Sequence, residues 1–194
     1  MMRQDKELRF RTISDKETLK RLWRLDQQAY GDYNIDIEVF MEWWTQYPPG
    51  ILLMTRGSKI LGSIGIWPLT EECFEEIKEF RKKEKNIRAH DIFSQAEAFK
   101  CKTWYISGIM LNTPEQNFHL LIAQALHNWA QIVSSTGLFK FLALAYTRED
   151  QDLLELLDFQ EHCSNPPKGF LPTYYRSVED KTDIDELIKS LKNC

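Results

Sequence analysis

The pattern of apolar and polar side chains changes its period several times along the chain, and it begins with an alternation of apolar and polar side chains over residues 8–13. A period of two is typical of a half-buried strand. Ser14 offers an N-cap with Glu17 as its capping-box partner, which predicts the start of a first helix. Residues 35–44 predict a second helix. The apolar stripe of the first helix contains Leu19, Leu22, Trp23 and Leu25.

Two apolar segments follow, at residues 50–55 and 59–67, and a short glycine-containing connection joins them. This pattern predicts two strands paired as a hairpin. Gly62 and Gly65 weaken the second strand unless another group approaches its backbone closely. A bulge or simple tolerance of packing explains the same glycines, so both explanations stay open.

Residues 68–101 interrupt the strand pattern and predict a helical insert between the third and fourth strands. Thr70 is its predicted N-cap, with glutamates in the first turn and lysines near the end, an order that complements the helix dipole. Phe74, Ile77 and Phe80 give the helix an apolar face. The basic run at 81–85 directly follows glutamates, so it is interpreted as a solvated helix end and not as a nucleic-acid patch.

The second half of the chain predicts further strands and helices in alternation. Residues 102–111 predict a strand, and a capping box from Thr113 to Gln116 begins the next helix. Gly137 is predicted as the C-cap of that helix, before an apolar strand at 139–146 that is buried on both faces. The remaining predicted elements are a helix at 150–157, strands near 159–163 and 171–178, and a last helix at about 180–192.

Composition bounds the class of protein. The chain has 194 residues, of which 43% are hydrophobic, and this is typical of a single domain over residues 1–194. The formal net charge of -4 gives no general attraction for nucleic acid or for an anionic membrane surface. The opening residues are charged and no apolar segment reaches about 20 residues, so we expect a soluble, cytoplasmic protein.

Cysteine and histidine positions favour neither disulfides nor a metal centre. The four cysteines occur without a C-x-x-C pair, which favours free thiols. His119 and His127 have no further ligand nearby in the sequence, so no metal is expected. The four cysteines are Cys73, Cys101, Cys163 and Cys194.

The order of predicted elements is β-α-α-β-β-insert-β-α-β-α-β-β, and it resembles that of the GCN5-related N-acetyltransferases (GNAT proteins) over nearly the whole chain. Residues 153–159, Leu-Leu-Glu-Leu-Leu-Asp-Phe, look like the family's L-Y-E-K-L-G-F segment, with Phe159 in the place of its phenylalanine. The resemblance implies an α/β (α+β) fold with a mixed, mostly antiparallel central sheet flanked by helices. It also implies CoA-dependent acyl transfer, most simply of an acetyl group, to the amine of a small or amino-acid-like molecule.

In this family the fourth strand and the following helix bind acetyl-CoA, and the pyrophosphate lies on a [QR]-x-x-G-x-[GA] turn. Gln116 matches the first position, whereas His119 and Leu121 replace the two glycines, and side chains there hold a phosphate away from the backbone. The resemblance therefore implies a site for acetyl-CoA or another acyl-CoA with an altered pyrophosphate turn. Its cofactor-binding residues would be Ile109, Met110, Leu111, Gln116, Asn117, Phe118, His119, Leu120, Leu121 and Thr147.

Acyl transfer to an amine needs a base for the ammonium and an acid for the leaving thiolate. The family often uses the tyrosine of its L-Y-E-K-L-G-F segment as the acid, and Leu154 stands there in this chain. Tyr146, at the end of the fifth strand, and Ser107, in the fourth, are instead the candidate catalytic residues. Candidate acceptor-binding residues are Trp67, Glu71, Glu72 and Tyr105; structural roles explain each of these residues as well.

Two other functions are consistent with this sequence. Leu154 and the missing glycines fit a non-catalytic GNAT-like protein that binds acyl-CoA as a sensor. A homodimeric interaction module is the other alternative, with the aromatic-rich residues 39–44 as a contact surface. The aromatic side chains of the insert form either a lid over an acceptor pocket or a dimer contact. They are Trp67, Phe74, Phe80 and Phe93.

Overall fold

The computed structural model describes residues 7–31, 35–111, 118–133, 136–163 and 165–192. Seven strands form one sheet in the order β1-β2-β3-β4-β5-β7-β6, and every neighbouring pair is antiparallel except β4 with β5. The strands are β1 (Leu8–Thr12), β2 (Ile51–Arg56), β3 (Lys59–Leu69), β4 (Thr103–Leu111), β5 (Thr136–Leu144), β6 (Gln160–Glu161) and β7 (Thr173–Asp180). The mixed, mostly antiparallel sheet predicted above is confirmed.

Helices cover both faces of this sheet. They are α1 (Lys16–Tyr30), α2 (Ile37–Gln46), α3 (Glu71–Lys78), α4 (Phe118–Ile132), α5 (Arg148–Leu156) and α6 (Lys181–Lys192). Trp67 of β3 packs edge-on against Trp43 of α2, with ring centroids 5.4 Å apart, whereas its neighbour Ile66 lies beside Trp129 of α4. Consecutive strand residues point to opposite faces, so α2 and α4 lie on opposite sides of β3.

The insert predicted between the third and fourth strands is confirmed, but its helix is shorter than expected. Helix α3 ends at Lys78, and three 3-10 turns follow it, at Glu84–Asn86, Ala89–Asp91 and Ala98–Lys100. The prediction that the lysines of residues 81–85 extend the helix end is wrong. Lys82 turns inward, because its ammonium lies 3.0 Å from Glu76 Oε2 and 2.8 Å from Asp91 Oδ1.

Two other predicted helix boundaries are also corrected. Asp15, not Ser14, caps α1, because its carboxylate accepts both the Thr18 N–H (2.7 Å) and the Thr18 hydroxyl (2.8 Å). A carboxylate at this end is further favoured by the helix dipole. Gly137 does not end a helix: it lies within β5 with a φ of +114°, where the register with β7 is irregular. The predicted capping box at Thr113–Gln116 lies outside the described residues.

In the part of the chain that the structure describes, no helix has the length and apolar character needed to cross a bilayer.

The turn after α5 explains one departure from the resemblance. Asp158 occupies the position of the family's glycine and has a φ of +58°, a conformation that disfavours residues with a Cβ. We expect Asp158→Gly to raise the free energy of unfolding by about 0.5–1 kcal/mol in chemical denaturation, because glycine removes this strain. The exposed Asp158 carboxylate is 3.8 Å from Arg176, so losing that contact costs little.

Asp158→Ala is the matched control, since alanine loses the same ion pair but keeps the strained backbone. The free energy of unfolding of Asp158→Ala should equal that of wild type or be slightly lower. Equal stabilisation by alanine and glycine would show that backbone strain is not the cause.

Candidate active site

A gap opens in the middle of the sheet where β4 and β5 separate. Their parallel pairing ends at Ile106 and Ala143, although β4 continues to Leu111. Beyond that point the β5-facing edge of β4 has no pairing partner in β5. Side chains from α1, β4, β5 and α5 line the gap: Tyr30, Ile106, Ser107, Gly108, Ile109, Ala143, Leu144, Tyr146, Asp150 and Leu154.

A bulge in β4 widens this separation. Ser63 pairs with Met110, and Gly65 pairs with Ser107, so β4 contains one residue more than β3 over this stretch. Gly108 absorbs the extra residue with a φ of +52°. Such a bulge bends a strand and redirects its side chains and backbone groups.

The glycine at position 65 is required by close packing on its Cα. A Cβ built there would lie 2.4 Å from Ser107 Oγ and 2.7 Å from Trp67 Nε1. The Trp67 indole donates a hydrogen bond of 2.8 Å to Ser107 Oγ across this glycine. Of the two explanations left open for Gly65, the structure supports close approach, and the approaching groups orient the Ser107 hydroxyl.

On one side of the gap lies the β4–α5 cleft, with a volume of about 590 Å³. Its floor is largely apolar, and its α5 side is acidic. The lining residues are Ala29, Tyr30, Ile109, Met110, Leu111, Phe118, Thr147, Glu149, Asp150, Asp152, Leu153 and Leu156.

Internal contacts engage most of the polar groups of the β4–α5 cleft. Asp150 accepts the N–H of Tyr146 at 3.0 Å and the N–H of Thr147 at 2.9 Å. Thr147 caps α5 and accepts the Asp150 N–H at 3.1 Å. Asp152 forms an ion pair with Arg148 at 3.0 Å. The cleft therefore offers mainly an apolar wall and the edge of the bulged strand.

On the other side of the gap lies the insert cavity, of about 230 Å³. The insert, the end of β5 and the segment before β7 form its walls. The lining residues are Ile77, Phe80, Lys82, Lys83, Glu84, Lys85, Leu144, Tyr146, Gly169, Phe170, Leu171 and Thr173.

Glu84 lies where the insert cavity approaches the gap, and two tyrosines hold its carboxylate. The Tyr105 hydroxyl donates to Glu84 Oε1 at 2.8 Å, and the Tyr146 hydroxyl donates to Glu84 Oε2. Burial raises the pKa of Glu84, and these two hydrogen bonds oppose part of that shift. Burial and the charge of Glu84 raise the pKa of Tyr146, so this phenol stays protonated.

A second carboxyl group lies behind Glu84. Asp26 of α1 is only 9% exposed, and its Oδ1 has no hydrogen-bond partner among the described residues. It shares a small void with Glu84, Ser107 and Tyr146. Burial raises the pKa of Asp26 to about 8, and the charge of Glu84 adds to this shift.

Comparison with known proteins gives a match only at the level of structure. No protein-family model matches the sequence, and no curated protein matches it significantly. FeeM, an N-acyl amino acid synthase from uncultured soil microbes, has a TM-score of 0.58 at 12% identity, with 93% of each chain covered. Ard1 from Thermoplasma volcanium has a TM-score of 0.59 at 10% identity, covering 89% of this chain and 99% of its own.

A third solved structure, yncA from Salmonella typhimurium with its cofactor acetyl-CoA, has a TM-score of 0.54 at 10% identity. The match covers 89% of this chain and 93% of that one. This chain has the GNAT fold. The resemblance inferred from the sequence is thereby confirmed for the fold, at sequence identities of 10–12%.

Within this GNAT fold, the residues predicted to bind the cofactor separate into four groups. His119 and Leu120 are partly exposed in the first turn of α4, and Leu121 is buried in the core. Gln116 and Asn117 lie outside the described residues. The members that line the β4–α5 cleft are Ile109, Met110, Leu111, Phe118 and Thr147.

The predicted catalytic and acceptor-binding residues are placed less uniformly. Tyr146 and Ser107 both line the gap. Tyr105 is connected to this region by the hydrogen bond that its hydroxyl donates to Glu84. Trp67 is fully buried and lies beneath Ser107 instead of lining the insert cavity. Glu71 is 76% exposed and lies 3.4 Å from Lys140, and neither it nor Glu72 lines the insert cavity.

The aromatic residues of the insert likewise have different environments. Phe80 lines the insert cavity, where its ring meets Phe170 edge-on at 5.8 Å. Phe74 is buried against Tyr175 at 6.3 Å. Residues 39–44 form part of α2, and Val39, Phe40 and Trp43 among them are buried.

Sequence reasoning missed Glu84, Asp26 and Tyr30. Glu84 is the single acidic residue in the basic run at 81–85, and the sequence pattern predicts that this run is exposed to solvent. Asp26 interrupts the apolar stripe of α1, and that interruption was the available signal for a buried carboxyl group. Tyr30, the last residue of α1, donates a hydrogen bond of 3.0 Å to the Ile109 carbonyl.

Proposed function

We propose that this chain is an acyl-CoA-dependent N-acyltransferase that transfers an acyl group, most simply acetyl, to the amine of a small molecule. The observation that carries the proposal is the Glu84–Tyr146 pair, which lies where the β4–α5 cleft and the insert cavity approach each other. Tyr146 lines the gap and the insert cavity, and Tyr30 lines the gap and the cleft. A donor on one side and an acceptor on the other would meet at this pair.

The β4–α5 cleft suits the donor. The edge of β4 beyond Ile106 can pair with an extended, amide-containing arm, and Ile109, Met110 and Phe118 supply apolar contact. The structure of yncA was solved with acetyl-CoA, which supports the choice of donor, and FeeM is named an N-acyl amino acid synthase, which supports acyl transfer.

Glu84 is the proposed general base. Burial raises the pKa of Glu84 above that of an ordinary carboxylate, which makes its ionised form a stronger base toward an ammonium. One proton leaves the ammonium for Glu84 before the nitrogen attacks the thioester carbonyl. A second proton leaves the nitrogen as the carbon–sulfur bond breaks. One of the two protons ends on the thiol, and the other is released to solvent.

Tyr146 is the proposed acid for the leaving thiolate, in place of the tyrosine that Leu154 replaces. Its hydroxyl already donates to Glu84, so the base can return a proton to the phenol. Leu154 is buried beside the gap and carries no proton to transfer. Ser107, oriented by Trp67, is the proposed hydrogen-bond donor near the thioester.

The proposal is tested by calorimetric titration with acetyl-CoA, CoA and a longer acyl-CoA, followed by thiol release with a panel of amines. We expect micromolar binding of acyl-CoA, about -8 kcal/mol. Tyr146→Phe and Ser107→Ala should each lower turnover by about 10-fold or more while acyl-CoA binding persists. Absence of binding at millimolar acyl-CoA would refute the proposal, and binding with no turnover on any amine would favour a sensor.

A further inference from the structure

The insert cavity carries positive charge that the acyl-transfer chemistry does not use. Lys82 is neutralised by Glu76 and Asp91. Lys83 and Lys85 differ from Lys82 in this respect. Among the described residues, no carboxylate oxygen lies within 4.0 Å of either ammonium, the distance of an ion pair. Lys83 and Lys85 flank Glu84 in the chain, and both residues line the insert cavity.

Lys83 lies against the cavity wall. Its ammonium is 5.1 Å from the centre of the Phe170 ring, a cation–π contact. A Cβ at Gly169 would lie 3.1 Å from the same ammonium, so this glycine leaves space for it. The charge is therefore held at the wall beside an aromatic ring.

The apolar part of the insert cavity includes a strained residue. Phe80 follows α3 by two residues and has a φ of +59°, a backbone conformation in which glycine is the usual residue. Its ring nevertheless lines the cavity and contacts Phe170. Strain held by a residue that lines a cavity is commonly associated with function.

We propose that the acceptor is a primary amine with an apolar body and a carboxylate, as in an amino acid with an apolar side chain. The amine lies at Glu84, the apolar body packs against the edge-on pair of Phe80 and Phe170, and the carboxylate is bound by Lys83 and Lys85. A carboxylate is favoured over a phosphate because it carries the single negative charge that one ammonium balances, whereas a phosphate carries about -1.5 to -2 at neutral pH. This inference rests on the proposed function and names the substrate class of the same site.

The test uses two amides that differ only in the carboxylate, N-acetylleucine and N-(3-methylbutyl)acetamide, in an NMR titration of the full chain. N-acetylleucine should bind wild type about tenfold more tightly than the neutral amide, because a charge-assisted hydrogen bond is gained. Lys83→Gln and Lys85→Gln should each weaken N-acetylleucine binding several-fold and leave the neutral amide unchanged. Lys59→Gln, an exposed residue of β3, is the matched control and should change neither.

Turnover provides the second readout. With leucine and 3-methylbutylamine as acceptors, Lys83→Gln should raise the ratio of the KM for leucine to the KM for the amine about tenfold. Equal binding of the two amides to wild type, or a preference that survives both lysine substitutions, would overturn this inference. If this inference fails but wild type acylates 3-methylbutylamine, the proposed acyl transfer is still supported. If wild type does not bind acyl-CoA, the proposed function itself is refuted.

Discussion

Glu84→Gln should lower kcat/KM for amine acylation by about 10²–10³-fold, the range expected when a general base is removed. Glutamine keeps the size of the side chain and can still accept a hydrogen bond from Tyr105 or Tyr146, but it cannot take a proton. In wild type the rate should rise with pH as Glu84 loses its proton, and the raised pKa of Glu84 places this rise above the usual range for a carboxylate. The variant should lose this limb of the pH–rate profile.

The matched control is Glu79→Gln, which removes an exposed carboxylate paired with Arg81 at 3.1 Å and outside the insert cavity. It should leave both rate and pH profile unchanged. Thermal unfolding and acyl-CoA titration of Glu84→Gln show whether its fold and donor binding persist. A variant that is folded, binds the donor and turns over normally would exclude Glu84 as the base.

Asp26→Asn should make the protein more stable near neutral pH. The folded-state pKa of Asp26 is raised from 3.8 to about 8 by burial. Below about pH 3.8 the Asp26 carboxyl is protonated in both the folded and the unfolded state, so it contributes no pH dependence to stability. As the pH rises through this window the unfolded chain ionises first, so stability falls by about 1.4 kcal/mol per pH unit through this group.

The measurement is urea unfolding of wild type and Asp26→Asn across this pH window. The stability of the variant relative to wild type should grow by about 3–4 kcal/mol between about pH 4 and pH 7. Asp185→Asn, at an exposed position of α6, is the control and should show no comparable growth. A constant difference between Asp26→Asn and wild type at every pH would show that the folded state ionises Asp26 as readily as the unfolded chain does.

The two carboxyl groups should also influence each other. The negative charge of Glu84 contributes to the raised pKa of Asp26, so in the Glu84→Gln background the pH dependence caused by Asp26 should weaken. Unequal effects of Asp26→Asn in the two backgrounds would measure this coupling. Equal effects would show that burial alone raises the pKa of Asp26.

The fold was largely predictable because the relevant signals are local. Alternation at residues 8–13 and the apolar stripe beginning at Leu19 specify β1 and α1 by their periods alone. Helix ends were less predictable, since Asp15 and Ser14 are both good N-caps and only the contacts with Thr18 distinguish them. Gly137 was ambiguous in a similar way. Glycine is common both at helix C-caps and at irregular positions in strands, and only the pairing of β5 with β7 distinguishes the two.

The site was predicted in part. Ser107 was found because it lies within β4, and Tyr146 because it follows β5 by two residues, so that position in the chain indicates position relative to the sheet. Glu84 follows a helix that ends earlier than its composition indicates, in a segment without a regular period. Its inward direction depends on Tyr105 and Tyr146, 21 and 62 residues farther along the chain.

The sequence by itself determined the order of strands and helices, the insert between β3 and β4, the strand that contains Ser107 and the strand that precedes Tyr146. These features depend on side-chain period and on capping residues within a few positions of one another. Only the tertiary structure decided that Glu84 lies against two tyrosines, that Asp26 is buried behind it, and that Trp67 supports Ser107. The physical reason is that burial and hydrogen-bond partners are set by contacts between segments distant in the chain, which no local pattern specifies.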